Sequence, residues 1–189
     1  MVAPPPPRPL RQIALSDERL RLRAWEVADA PALAALCRDP EIVRWTTVPN
    51  PYTDEMAASR AQRANQLREA GSALLYAICD AGSGRLLGAI DLRMHQEDAG
   101  IAEVAYMLGA HARGRGVMTA AVRLLCAHAF SRLGVRRVEL LHHPDNHASA
   151  AVAVRAGFTR EGWLRSYRVK GTGPAEDRVL HSLLADDPH

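Results

Sequence analysis

The sequence contains no run of about 18 consecutive apolar residues, so it predicts no membrane-spanning helix. Cysteine is scarce. Cys37, Cys79 and Cys126 are far apart and odd in number, which excludes a disulfide framework and a zinc-type ligand spacing. The eight histidines form no metal-binding pattern, so no metal is expected. A reducing, cytoplasmic compartment is the simplest interpretation, and the opening residues lack the pattern of a signal peptide.

Lysine is nearly absent as well, because Lys170 is the only lysine among 24 basic residues. The arginines are spread along the chain rather than gathered in one stripe, which argues against a nucleic-acid-binding surface. The formal net charge is +3 and the isoelectric point is about 9.0. A positive field of this size favours an anionic ligand.

The 189 residues are 48% apolar and 24% charged, which is typical of a soluble domain with a packed core. Consecutive prolines near the start cannot enter a helix or a sheet interior, so residues 1–16 are predicted to form a flexible, proline-rich tail. A single domain is expected over residues 17–186.

Hydrophobic patterns along this domain predict strands and helices in mixed order. Strands are expected at 20–25, 74–80, 86–93, 101–108, 138–142, 158–169 and 177–184. Helices are expected at 29–37, 40–45, 54–70, 116–133 and 148–156. An antiparallel meander is followed by strands that alternate with helices, and this order predicts a mixed α/β domain.

The segment from Arg113 to Thr119 reads Arg-Gly-Arg-Gly-Val-Met-Thr and joins a predicted strand to a predicted helix. Its glycines allow backbone N–H groups to turn toward one point, and a helix N-terminus adds about half a positive charge. The combination is suited to a pyrophosphate, although an ordinary turn in an arginine-rich chain would have the same composition. The spacing matches neither a Walker loop nor the dinucleotide-binding GxGxxG pattern.

Residues 113–118 resemble the R/Q-x-x-G-x-G/A motif of the GNAT acyltransferase superfamily, with Met118 in place of the final glycine or alanine. Three other segments are similar to the Rim-type branch of N-terminal acetyltransferases. They are the strand at 102–109, the Asn-x-x-Ser and Gly-Phe signature at 146–158, and the closing segment at 161–167. The resemblance extends from about residue 21 to residue 184.

This resemblance implies a single GNAT-type α/β domain, with a twisted, mixed, mostly antiparallel sheet flanked by helices and two central parallel strands that splay apart. Acetyl-CoA would lie between those strands as the co-substrate. Its pyrophosphate would meet the loop amides, and its pantetheine arm would pair with the strand at 101–108. The implied cofactor-binding residues are Met107, Leu108, Arg113, Gly114, Arg115, Gly116, Val117, Met118, Thr119, Asn146 and Ser149.

Glu103 is the candidate general base. Along its strand it shares one face with Ile101, Ala105 and Met107, so it is a carboxylate in an otherwise apolar row. An amine acceptor arrives mostly as ammonium and must lose a proton before attack, which requires a base. The alternative is a glutamate that only forms a salt bridge with one of the many arginines.

Asn146 and Ser149 lie where a helix is predicted to begin, so Asn146 has two interpretations. It is either the helix N-cap or, as the resemblance implies, a contact to the pantetheine or adenosine part of the cofactor. The resemblance assigns Ser149 to the thiolate region, where its hydroxyl could protonate departing coenzyme A. Tyr167 is the rival for that catalytic role.

The expected activity is therefore acetyl transfer to a primary amine by direct attack in a ternary complex. The Rim-type resemblance favours a protein or peptide amino terminus as the acceptor. A small-molecule amine, such as an antibiotic or a polyamine, is the alternative acceptor, and a non-catalytic acyl-CoA-binding domain is a third alternative. Nucleic acid and membrane are not expected as partners, and a homodimer is compatible with the sequence.

Overall fold

The computed structural model describes residues 9–98 and 100–188. Its sheet has eight strands in the order β1-β2-β3-β4-β5-β6-β8-β7. The bounds are β1 Leu15–Ser16, β2 Leu20–Arg23, β3 Ala73–Asp80, β4 Leu86–Met94, β5 Ile101–Leu108, β6 Arg137–His142, β7 Thr159–Val169 and β8 Ala175–Leu184. Only β5 and β6 pair in parallel, and every other pair is antiparallel.

In the part of the chain that the structure describes, six α-helices flank the sheet. They are α1 Ala30–Cys37, α2 Pro40–Trp45, α3 Asp54–Ala58, α4 Arg60–Glu69, α5 Val117–Arg132 and α6 His147–Ala156. α5 and α6 pack on one side, here called the α5 face, against the larger apolar core. α1, α3 and α4 pack on the other side, the α1 face, where the apolar contacts of the sheet centre on β3 and β4. Within the described chain, no helix is long and apolar enough to cross a membrane.

The predicted mixed sheet with two splayed parallel strands is confirmed. β5 and β6 are paired only from Ile101 to Val104 of β5, opposite Arg137 to Leu140 of β6. Beyond those residues both strands continue without pairing to each other. The chain reverses after β6 through α6, which Asn146 caps at its start and Gly157 ends in a left-handed conformation.

The structure differs from the sequence-based expectations at two places. The helix expected at 54–70 is divided into α3 and α4 at Ser59, whose Oγ donates to the carbonyl of Met56 at 3.0 Å. Such a side-chain bond to the backbone competes with helix continuation. Contacts with the sheet also begin before residue 17. β1 pairs with β2, and Gln12 donates to the Leu75 carbonyl at 2.9 Å. The first eight residues of the predicted tail lie outside the described residues.

Candidate active site

The gap between β5 and β6 forms the centre of the site. From Ala105 to Leu108, β5 pairs with β4 on one side. On its other side, no strand of the described chain pairs with these residues. Backbone groups that face such a gap need hydrogen-bond partners, so an extended ligand arm can pair with this edge as an added strand. Of the two predicted contacts on this strand, Met107 lies opposite Ala89 of β4, and the Leu108 carbonyl accepts from Arg113 Nε at 3.0 Å.

The loop that precedes α5 borders open space. Gly114 and Gly116 both have a φ of 74°, a conformation that glycine adopts without the steric cost other residues incur. A Cβ added at either glycine would meet no atom within 4 Å. Gly116 is the N-cap of α5 and provides no capping side chain for the first helical N–H groups. Because such N–H groups bind anions, the loop fits a phosphate-bearing ligand.

Arg113 and Met118 have structural contacts in this loop. Arg113 donates from Nη2 to Asp39 Oδ2 at 2.8 Å and from Nε to the Leu108 carbonyl at 3.0 Å, so it ties the loop to β5 and to the start of α2. Met118 is 5% exposed and belongs to the core on the α5 face. Its replacement of the motif's final small residue therefore does not narrow the space beside the loop. Arg115 is exposed, and Val117 is partly buried.

A cavity of about 680 Å³ continues from this loop along α5. Gly116 and Thr119 line it, together with three arginines: Arg19, Arg123 and Arg155. One carboxylate, Asp17, lines it too, so the three arginines leave a net positive lining that suits phosphate groups. Sequence reasoning missed them, although Arg123 lies four residues after Thr119 and so shares its side of the helix. Arg19 and Arg155 come from distant parts of the chain, so their meeting has no sequence signal.

Glu103 lies on β5, on the α1 face of the sheet. It is to the side of β3 and β4, the strands that the helices of this face cover. Its carboxylate accepts from Arg168 Nη2 at 3.3 Å and 3.2 Å, and its side chain is 14% exposed. The sequence alternative, a salt bridge, is therefore present. The expected apolar surroundings are wrong, because the cross-strand neighbours of Glu103 are Arg93 on β4 and Glu139 on β6.

Charged neighbours of Glu103 have partners of their own. Arg93 donates to Asp91 at 3.3 Å. Glu139 accepts from Arg137 Nε at 2.7 Å. Sequence reasoning missed this polar row and also missed Arg168. The contact of Arg168 depends on a register shift in β7 between Leu164 and Arg168, which no local pattern predicts.

Ser149 lies on the opposite, α5 face of the sheet. Its Oγ is 2.8 Å from the hydroxyl of Tyr106 on β5, and either oxygen can donate. Burial raises the pKa of Tyr106 to about 12, so its hydroxyl keeps its proton at neutral pH. Tyr106 was not predicted as a site residue, although the alternation of side chains along β5 places it on the face opposite Glu103. Asn146 Oδ1 accepts from the Ser149 backbone N–H at 3.0 Å, which is the N-cap arrangement.

Tyr167 lies away from this pair. It is 50% exposed on β7, which is an edge strand of the sheet, and the guanidinium carbon of Arg168 lies 5.9 Å from its ring centroid. The structure thus brings Ser149 and Tyr106 together on one face and Glu103 and Arg168 on the other. A ligand in the gap between β5 and β6 would be reachable from both faces.

Comparison with known proteins identifies the family to which the chain belongs. Residues 19–159 match the acetyltransferase (GNAT) domain family. The chain belongs to the GNAT acetyltransferases. The predicted superfamily and enzyme class are therefore confirmed. Among relatives, the Bacillus licheniformis protein named uncharacterized N-acetyltransferase p20 is 32% identical over 171 residues, 90% of this chain and 95% of that protein.

Solved structures share the same GNAT fold. RimL, a ribosomal L7/L12 α-N-protein acetyltransferase solved with coenzyme A, gives a TM-score of 0.81 at 24% identity. The alignment covers 91% of this chain and 98% of RimL. The microcin C7 self-immunity acetyltransferase MccE, solved with acetyl-CoA and AMP, gives a TM-score of 0.79 at 22% identity over 89% of this chain and 93% of MccE.

Proposed function

We propose that this GNAT acetyltransferase moves an acetyl group from acetyl-CoA to the amino terminus of a protein or peptide, by direct attack within a ternary complex. The observation that carries the proposal is the gap between β5 and β6, which has Glu103 on one face and the Tyr106–Ser149 pair on the other. An amine can approach from the first face while the thiol departs toward the second.

The co-substrate fits the residues that border this gap. The backbone of Gly114 and Gly116 and the N-terminus of α5 would hold the pyrophosphate, because they combine free N–H groups with open space. Arg123 and Arg155 in the adjacent cavity would neutralise further phosphate charge. The stretch of β5 that does not pair with β6, which carries the predicted contacts Met107 and Leu108, would pair with the pantetheine arm. Bound acetyl-CoA supplies the activated acetyl group.

Each candidate catalytic residue would accept or donate one proton during the transfer. A carboxylate oxygen of Glu103 would accept the proton of the incoming ammonium, after the amine takes the place of Arg168 beside it. The Ser149 hydroxyl would donate its proton to the departing thiolate and take the proton of the hydrogen-bonded Tyr106 hydroxyl, which solvent would reprotonate before the next turnover. The proton taken up by Glu103 would pass to solvent after the product leaves. The N–H groups along the free edge of β5 would polarise the thioester carbonyl.

Direct transfer is favoured over a covalent acyl-cysteine route by the state of the thiols. Cys37, Cys79 and Cys126 are all buried. Burial raises the pKa of Cys37 to about 11 and that of Cys126 to about 12, and it raises the pKa of Cys79 as well. Thiols in this condition form little thiolate at neutral pH and are poor nucleophiles.

The preferred acceptor follows from the Rim-type resemblance and from RimL, which acts on the amino terminus of a ribosomal protein. The test is mass spectrometry of peptides incubated with the enzyme and acetyl-CoA. A peptide with a free amino terminus and an internal lysine should gain one acetyl group, at the α-amine. The same peptide with a blocked amino terminus should gain none. Acetylation of small amines alone would support the small-molecule alternative, and absence of any coenzyme A release would support the non-catalytic one.

A further inference from the structure

The ion pair between Glu103 and Arg168 is isolated from the charges around it. Across β7 and β8, Arg168 faces Glu176, but the Glu176 carboxylate accepts from Arg178 at 2.9 Å. On the other side, the strand neighbours of Glu103 have their own partners, as described above. Within the described chain, Glu103 and Arg168 are therefore each other's ion-pair partner.

Two hydrogen bonds hold the backbone that precedes Arg168 against β8. Ser166 has a φ of 50°, and its N–H donates to Asp177 Oδ1 at 2.8 Å. The other oxygen of Asp177 accepts from Trp163 Nε1 at 2.7 Å. These bonds hold the shifted segment of β7 against β8. Arg168 follows this segment, and its guanidinium reaches Glu103 on β5.

The rim beside Arg168 carries more positive charge. Lys170 donates to the carbonyls of Val43 and Arg44 at the end of α2, at 2.9 Å for Arg44. The link brings the strand that carries Arg168 next to α2. Arg44 itself is 64% exposed and lies 3.9 Å from Glu41. Two cations, Lys170 and Arg44, and one anion, Glu41, therefore lie on this side of the site.

An acceptor amine that binds at Glu103 has to replace the ion pair between Glu103 and Arg168 with one between Glu103 and its own ammonium. Its ammonium must come to the Glu103 carboxylate, which separates Arg168 from its anion. The side chain of Arg168 is only 30% exposed, so leaving it without an anion is unfavourable. An acceptor that also carries a carboxylate near its amine restores both pairs, because ammonium meets Glu103 while carboxylate meets Arg168.

From this exchange we infer that Arg168 determines acceptor specificity and selects peptides with a carboxylate side chain, aspartate or glutamate, at or next to the amino terminus. The inference rests on the function proposed above. It deepens that function by naming the class of amino terminus. Arg168 would contact the acceptor's carboxylate, while Glu103 receives the amine proton.

The test compares two peptides that differ only in their first residue, aspartate or its uncharged isostere asparagine. For the unmodified enzyme we expect kcat/KM to be about tenfold or more in favour of the aspartyl peptide, since a hydrogen bond to a charged group contributes about 1.5–3 kcal/mol. Arg168→Gln should bring the ratio close to one, mainly through a higher KM for the aspartyl peptide. Arg165→Gln, which changes an exposed arginine on the same strand, should leave the ratio unchanged.

Equal rates for both peptides in the unmodified enzyme would overturn the inference while leaving the proposed function intact. A preference that survives Arg168→Gln would overturn it too. If neither peptide is acetylated while small amines are, the proposed function fails with it. Free aspartate serves as a third acceptor, and its preference over the aspartyl peptide would assign the site to free amino acids and overturn the peptide specificity.

Discussion

At the scale of single residues, Glu103 combines two properties that sequence reasoning treated as alternatives. It is nearly buried, as a general base on a strand would be, and it is paired with Arg168. In a resting enzyme the guanidinium holds the carboxylate in place. An incoming ammonium can replace one cation with another, so the ion pair and the catalytic role are compatible.

The prediction at this scale concerns the carboxylate itself. Glu103→Gln keeps the shape of the side chain but removes the proton acceptor, so turnover should fall roughly 10²–10⁴-fold. The affinity for acetyl-CoA should barely change, because Glu103 is remote from the loop that fits the pyrophosphate. Steady-state rates and a binding titration measure the two effects separately.

Glu139→Gln is the matched control, since Glu139 is the cross-strand neighbour of Glu103 and bonds to Arg137. It should lower turnover much less than Glu103→Gln does. Equal losses in the two variants would mean that the polar row acts as a whole and that Glu103 has no special role. An unchanged rate in Glu103→Gln would remove it as the base.

At the scale of structural elements, the splay of β5 from β6 and the glycine loop before α5 act together. The splay leaves a strand edge free, and the loop directs a helix N-terminus to the side of that edge. Neither element requires a special side chain at the point of contact, since backbone groups do the binding. Side chains such as Arg113 and Met118 instead anchor the loop to β5 and to the core.

The prediction for this loop uses two glycines of similar conformation. Gly116 and Gly134 have φ values of 74° and 70°, and a Cβ at either would meet no atom within 4 Å. Aspartate at either position should therefore cost a similar amount of stability, about 1–2 kcal/mol. Only Gly116→Asp adds a negative charge where the pyrophosphate would lie.

Thermal unfolding with and without acetyl-CoA separates the two effects. A ligand at 100 times its dissociation constant adds about 2.7 kcal/mol to the stability of the folded state. This stabilisation should be present in the unmodified protein and in Gly134→Asp, and lost in Gly116→Asp. An undiminished shift in a folded Gly116→Asp variant would mean that the cofactor binds elsewhere.

The elements themselves were largely predictable, for physical reasons that also explain the exceptions. β3, β4 and β5 are bounded by turn residues and have strongly apolar patterns, and α5 is long and apolar on most sides. β1 has two residues, which are too few to show a period. β8 lies between β6 and β7 in the sheet. The local sequence pattern predicts a strand but does not determine which strands it pairs with.

The site was predictable to a lesser degree. The loop, Glu103, Asn146 and Ser149 could be proposed from the sequence because the residues that suggest them lie close together in the chain, and their roles stay predictions. Tyr106, Arg123 and Arg168 were missed because they contribute through contacts made only when the chain is folded. Arg168 is the clearest example, since its partner Glu103 is 65 residues away in sequence and its direction depends on an irregular strand.

At the scale of the whole molecule, buried histidines make stability depend on pH. His128, His142 and His181 are 4–6% exposed, and each has a ring nitrogen without a hydrogen-bond partner in the described chain. Burial lowers the pKa of all three below the ordinary value of 6.5. Below that value the unfolded chain binds protons that the folded chain does not, so the free energy of unfolding decreases as pH falls.

A second loss should follow at lower pH. The Arg137 guanidinium lowers the pKa of Glu161 to about 2, and hydrogen bonds from Arg23 and Glu26 lower the pKa of Asp29. Carboxylates with depressed pKa values stabilise the fold above their ordinary pKa, and that stability is lost as pH falls through the folded value. Acid should therefore destabilise the protein in two stages.

Urea unfolding at a series of pH values measures both stages. The midpoint should be nearly constant between about pH 7 and pH 8, fall between about pH 6.5 and 5, and fall again below about pH 4. His142→Gln removes one buried imidazole and should make the first fall shallower. A midpoint that stays constant from pH 8 to pH 5 would contradict the assignment of neutral, buried histidines.

The central claim for the whole molecule is that both substrates meet in one gap and that the acetyl group passes directly between them. Initial rates measured while acetyl-CoA and an amino-terminal peptide are both varied test this claim most directly. A ternary complex predicts double-reciprocal lines that intersect, with coenzyme A released only when the peptide is present. Parallel lines, with an acetylated enzyme trapped in the absence of peptide, would contradict it.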